Sequence, residues 1–160
     1  NYSTYSSTWI TRNQETKINI YAGTGENAEL SNFAVRPFTT SSVAETDKDI
    51  TFNTVEGAFQ AAKLGDTSEE LLSWEEVDVI EKQLQKATGP EAKAIGKKIK
   101  GLDTQAWDEH SSEIMKLLLT QSFQQNPDAL AKLLATGNAT LTHTQDKTNG
   151  VLSFLDFLWK

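Results

Sequence analysis

The segment Phe52-Asn-Thr-Val-Glu-Gly-Ala-Phe-Gln-Ala-Ala-Lys63 constrains the fold more than any other stretch of the chain. Asn53 is a favourable helix N-cap and Glu56 follows at the spacing of a capping box, so a helix is expected to begin here. With about 3.6 residues per turn, Glu56, Gln60 and Lys63 fall on one stripe. A rise of ~1.5 Å per residue separates the ends of that stripe by roughly 10 Å. That gap is too wide for a simple ion pair and suits a small ligand held between an acid and an amine. Phe59 and Ala62 face elsewhere and are available for packing. The same spacing also fits a plain amphipathic helix with a glutamate at its start and a solvated lysine, so the residues alone leave both readings open.

Punctuation along the chain divides the remainder. Ile18-Asn-Ile-Tyr21 alternates and predicts a first strand, broken at Gly23-Thr-Gly25, which reads as a turn more readily than as a phosphate nest. A second short strand is expected over Phe33 to Phe38, then a polar loop or hairpin from Thr39 to Asp49, then a strand from Ile50 to Phe52. Ser68 to Lys86 reads as an acidic helix with Leu71, Leu72, Val77, Ile80 and Leu84 on an interrupted apolar stripe. Gly89-Pro90 stops it and opens the next helix, which runs to about Lys100 and ends at Gly101. Trp107 to Gln124 is the clearest long helix, with Trp107, Ile114, Leu117, Leu118 and Phe123 on its apolar side. Asn126-Pro127-Asp128 begins another helix through Leu130, Leu133 and Leu134, closed by Gly137. Thr140 to Thr144 has strand propensity, and Val151 to Trp159 predicts a final core-packing helix. Residues 1–16 read as a loosely ordered arm and 17–160 as one domain. The sum is α+β: a mostly helical single domain with a small β-sheet.

Composition narrows the function. A net charge of −7 works against tight sequence-independent binding to duplex nucleic acid, which depends on neutralising phosphates. The chain has no cysteine, which excludes a disulfide framework, a thiolate nucleophile and a zinc–cysteine site. His110 and His143 are too few and too far apart for a histidine-based metal site. No apolar run approaches the ~18 residues of a membrane-spanning helix, and no signal-peptide pattern stands at the start. A cytoplasmic protein without a membrane association is the expectation.

Several further motifs stand in order around the key helix. Glu29-Leu-Ser-Asn-Phe-Ala34 with Pro37-Phe38 precedes it. Ala94-Ile-Gly-Lys97, Trp107 with Met115 eight residues later, Gln121-Ser-Phe-Gln-Gln-Asn126 and Leu133-Leu-Ala-Thr-Gly137 follow. In that order and spacing the chain resembles the NADAR superfamily, the YbiA-like N-glycosidases, from about Ile18 to Gly150. The family pattern runs LSNF, T-x-E-H-x-F-Q-x-x-K, a Gly-Arg step, W-x7-M, a K-F segment, L-x-x-T-G and a closing D-x-x-W-G. This chain departs from it at Gly57 (usually His), Lys97 (Arg), Ser122 (Lys) and Asn149 (Trp). Thr142 or His143 stands where a glutamate usually precedes the closing Asp, which is Asp146 here.

The resemblance implies an N-glycosidase acting between a base or amine and C1 of a phosphorylated ribose or ADP-ribose, with no metal and no redox cofactor. The alternative of another class is a module of the same fold that binds ADP-ribose or a related nucleotide without turnover. Glu56, Lys63 and Asp146 are the implied catalytic residues. Glu56 would orient water or stabilise positive charge at C1, and Lys63 would pair with phosphate or condense with an opened ribose. Asp146 would be a second carboxylate, or simply part of a turn. Asn32, Phe33, Phe59, Gln60, Trp107 and Asn149 are the implied ligand-binding residues. Asn32 equally suits a turn cap, and Trp107 a core anchor. The Lys97, Lys98, Lys100 run reads as a phosphate seat or a solvated helix end. Glu56, Gln60 and Lys63 are expected to line one pocket with Asn32 and Asp146.

Overall fold

The structure, a computed structural model, describes residues 13–20, 27–68, 70–137 and 139–142. Asp146, Asn149, the Gly23-Thr-Gly25 turn and the Val151 to Trp159 segment lie outside these residues. The chain is α+β, and among the described residues two small two-stranded sheets lie against a helical body. Strand β1 (Asn13–Asn19) pairs in parallel with β4 (Ala139–Thr142), Ile18 opposite Leu141. It starts at Asn13, within the stretch read as an arm, and ends before Tyr21. β4 accounts for the expected strand as far as Thr142.

The polar stretch after Phe38 is a hairpin of β2 (Phe38–Ser41) and β3 (Asp49–Phe52), with Phe38 opposite Phe52. Phe38 and Thr40 point inward while Thr39 and Ser41 face out, the alternation of a one-sided strand. Its loop is fixed from below by the buried Glu81 carboxylate, which accepts from Ser42 Oγ and from the Val43 N–H, both at 2.6 Å. The strand expected over Phe33 to Phe38 does not form ahead of Phe38. Ser31 turns the chain instead: its hydroxyl accepts the Phe33 N–H at 3.0 Å and its carbonyl the Ala34 N–H at 3.1 Å.

Helix α1 (Val55–Ala62) is the centre of the body, continued by a 3-10 turn over Lys63–Asp66. Its N-cap is Thr54, whose hydroxyl accepts the Gly57 N–H at 2.9 Å, and not Asn53. Asn53 is committed elsewhere, donating its N–H to Gln85 and accepting the Arg36 N–H on its carbonyl. Glu56 is therefore one position earlier in the helix than a capping box requires. A capping box forms instead at Thr88 with Glu91, at the start of α3 (Gly89–Lys97).

Helix α2 (Trp74–Lys86) begins later than expected, and α3 stops at Lys97 with Gly101 beyond it at φ +73°. Two glycines let these helices close on α1. A Cβ on Gly57 would lie 2.7 Å from the Leu84 carbonyl oxygen, and one on Gly96 would overlap the Gln60 side chain. The long helix α4 (Thr104–Gln124) buries Trp107, Met115, Leu118, Leu119, Ser122 and Phe123. Leu117, expected inside, is 53% exposed, because the buried stripe is rotated one residue onto Met115 and Leu119. Helix α5 (Pro127–Ala135) opens on its proline and is followed by Gly137 at φ +57°, as expected. Ile20, Phe38, Phe52, Val55, Leu84, Phe123, Leu133 and Leu141 form one core that joins sheets and helices. Among the described residues no helix is long and apolar enough to cross a membrane.

Candidate functional site

The Glu56–Gln60–Lys63 stripe faces inward at its start and reaches the surface at its end. Glu56 and Gln60 are only 9% and 6% exposed, while Lys63, first residue of the 3-10 turn, is half-buried. One contact fixes the backbone of the acid and one its carboxylate. The Glu56 N–H donates to the Asn32 carbonyl at 3.1 Å, and Gln60 Nε2 donates to Glu56 Oε1 at 2.8 Å. Gln60 Oε1 is buried against Gly96 with no hydrogen-bond partner. Burial pulls the Lys63 amine below its ordinary value of 10.5, and the negative charge of Glu56 works in the opposite direction. A helix that buries a carboxylate and also favours a neutral amine has the ingredients of acid–base and nucleophilic chemistry.

The loop that carries Asn32 is held rigidly by a residue that sequence reasoning passed over. Arg36 is buried beneath it and donates from Nε to Ser122 Oγ at 2.7 Å, and from Nη1 to the carbonyls of Glu29 and Ser31. Its guanidinium lies over the Phe123 ring, 4.2 Å from the centroid, and burial lowers its pKa to about 10. Glu29 is tied to Lys132 of α5 by an ion pair. Asn32 Nδ2 reaches Met115 Sδ at 3.7 Å, a weak contact that still pins the side chain to α4. The one available signal for Arg36 was a lone cation inside the otherwise apolar run Phe33-Ala-Val-Arg-Pro-Phe38.

Aromatic contacts extend the site toward α4. Phe59 packs against Trp107 with ring centroids 5.1 Å apart, and Trp107 meets His110 edge-on at 6.1 Å. His110 Nε2 in turn lies 2.7 Å from Asp66 Oδ2. Phe59, expected to face away from the stripe, borders it, lying one turn beyond Glu56 and one turn before Lys63. Trp107 is buried, which suits a supporting wall better than an open stacking platform. Phe33 is turned to another neighbour, its ring against Gly89 at the start of α3, where a Cβ would overlap it. Lys97, Lys98 and Lys100 are exposed at the end of α3.

Asn32, Glu56, Phe59, Gln60, Lys63 and Trp107 are thus linked through α1, α4 and one loop. A cleft of about 380 Å³ opens elsewhere, between the Arg36 loop and the start of α5, and no residue of the stripe lines it. Its charged lining, Glu29 and Asp128 with Arg36 and Lys132, is balanced and partly self-paired. This cleft is not the pocket expected among Asn32, Glu56, Gln60 and Lys63, and the α1 stripe is a candidate site on its chemistry alone.

Two departures from the family pattern have packing explanations. Position 57 has no room for a side chain unless α2 moves, because the Leu84 carbonyl stands against it. Position 122 is completely buried, and its hydroxyl receives Arg36. A lysine there would set a second cation against the guanidinium in a site with little solvent to screen them. The basic group here comes from the loop, not from the helix.

A family model for the NADAR domain matches residues 20–151. Among solved structures, the NMR structure of the E. coli protein YbiA aligns over 93% of this chain and 83% of its own, with a TM-score of 0.62 and 23% identity. No curated protein matches the sequence.

Proposed function

The chain belongs to the NADAR family, and on that premise we propose that it is an N-glycosidase. Its substrates would carry a base or amine on C1 of a phosphorylated ribose or of ADP-ribose. The observation that supports this most is Glu56, a buried carboxylate held by Gln60 and the Asn32 backbone on the same helical face as Lys63. Cleavage of an N-glycosidic bond builds positive charge at C1, and a fixed carboxylate stabilises that charge or takes a proton from the attacking water. The Lys63 amine, less basic than an ordinary lysine, serves either as a contact to phosphate or as a nucleophile toward the C1 aldehyde of an opened ribose. Asp146 is assigned the second carboxylate and Asn149 a polar contact to the ligand, both from the family pattern. Charged phosphoribosyl compounds fit a cytoplasmic enzyme.

One observation favours a second reading, capture of an ADP-ribosyl ligand without turnover. Positions 57 and 122, which carry His and Lys in the family pattern, are occupied here by packing residues. Incubation with a panel of phosphoribosyl-amines, NAD and ADP-ribosyl-guanosine, followed by mass spectrometry, separates the two. Release of base and sugar is the expected result. A ligand-dependent rise in melting temperature with no product across the panel would establish the binding module.

A further inference from the structure

Asp66 and His110 form a carboxylate–imidazole pair that none of the roles above uses. Asp66 Oδ2 is buried and stands 2.7 Å from His110 Nε2, at hydrogen-bond distance but without hydrogen-bond alignment. The Asp66 side chain is 16% exposed and that of His110 44%, so the acid sits inside and the imidazole opens outward.

A mere tether between the 3-10 turn and α4 would not need this pair. The backbone already makes that join, through the Asp103 N–H to the Asp66 carbonyl at 2.8 Å and the bridge between Thr67 and Leu102. What the pair adds is orientation. The Asp66 carboxylate at 2.7 Å from Nε2 limits how the imidazole can turn and leaves Nδ1 as the nitrogen not facing it. Trp107 fixes the same ring from its edge at an interplanar angle of 74°.

Position ties the pair to the site. Lys63 and Asp66 begin and end a single 3-10 turn, where side chains three residues apart eclipse one another. Trp107, which touches His110, also touches Phe59, one turn from both Glu56 and Lys63. The imidazole therefore stands at the Lys63 end of the stripe, opposite the buried acid end.

We propose that His110, oriented by Asp66, is the general acid that protonates the departing nitrogen. The inference rests on the N-glycosidase reading. In the step, the C1–N bond breaks and its electron pair stays on nitrogen, which takes the proton from His110 Nδ1. The Lys63 amine adds to C1 and gives up a proton to Glu56, and water then adds through oxygen to C1 and releases the amine. Exchange with solvent then returns the proton from Glu56 and reprotonates His110.

The test uses leaving groups that differ in their need for a proton. Nicotinamide leaves NAD as a neutral base and needs none, whereas guanine on a neutral N-glycoside does. For His110→Gln, kcat on ADP-ribosyl-guanosine should fall by ~10²-fold or more with KM changed less than about threefold, the range for loss of a positioned acid. Nicotinamide release should change by less than about threefold. If the wild type accepts only neutral N-glycosides, the dependence of log kcat on leaving-nitrogen basicity should steepen in the variant. Asp66→Asn should show the same selectivity with a smaller loss, and it carries the test if His110→Gln does not fold. Equal losses on both leaving groups, or none on either, would overturn the assignment while leaving the N-glycosidase reading intact. Absence of turnover by the wild type on every substrate would overturn both, and it is recognised before any variant is made.

Discussion

Arg36 and Glu56 are both buried charges, on residues joined by one loop, and they are treated in opposite ways. Arg36 is enclosed by neutral partners, a serine hydroxyl, two backbone carbonyls and the face of Phe123, with its buried Nη2 left without a hydrogen bond among the described residues. These clamp the Glu29–Ser31 segment onto α4. Glu56 has one side-chain partner, Gln60 on Oε1, and its Oε2 takes no hydrogen bond from a described residue. A charge gripped by three fixed acceptors from two segments does structural work, whereas a charge held by one side chain keeps capacity for a ligand. The difference between the two separates scaffold from site.

The sharpest way to break this contrast is to neutralise each charge and read both activity and stability. Glu56→Gln should lower kcat by ~10²- to 10³-fold, the scale of one preorganised electrostatic group, and shift stability by less than about 1 kcal/mol. Arg36→Ala should do the reverse, costing about 3 kcal/mol or more through lost charged hydrogen bonds and a cavity, as read from urea unfolding. Equal stability losses in the two variants would erase the distinction.

Smaller effects sharpen it. Gly57→Ala pushes a methyl group against the Leu84 carbonyl and should cost about 1–3 kcal/mol, because the obstacle is backbone and cannot swing aside. An unchanged melting temperature would show that α2 yields easily, and the packing account of this family departure would fail. The pH dependence of turnover is the mildest probe. Burial favours the neutral Lys63 amine, so the rate of an amine-dependent step should rise with pH and level off below the ordinary lysine value of 10.5. The sign for stability agrees: the unfolded chain binds more protons between the folded and unfolded pKa values, so this group adds stability as pH rises through that window. A rate independent of pH up to the lysine range would remove Lys63 as the titrating group.

What sequence made legible follows the range of the interaction. Helix α4, the proline start of α5 and the left-handed stop at Gly137 were readable because each rests on residues within a turn or two. The stripe on α1 was readable for the same reason. Its cap was misread because Asn53, a good cap by composition, is claimed by Gln85 and Arg36 from distant segments. The strand expected from Phe33 failed because Ser31 supplies a local turn that alternation does not reveal. Arg36 and Ser122 are 86 residues apart, and nothing in either neighbourhood announces the other. The Asp66–His110 pair was hidden for the same reason, since only the meeting of the 3-10 turn with α4 creates it.

The central claim is that the α1 stripe does chemistry and is not a polar helix face that happens to be buried. Lys63→Ala tests it most directly, with kcat and ligand affinity measured on whichever member of the panel the wild type turns over. The account predicts loss of turnover by ~10²-fold or more with affinity changed far less, and a lysine–sugar adduct trapped by borohydride in the wild type but not in the variant. A variant with normal kcat and only a raised KM would contradict it, reducing Lys63 to a phosphate contact.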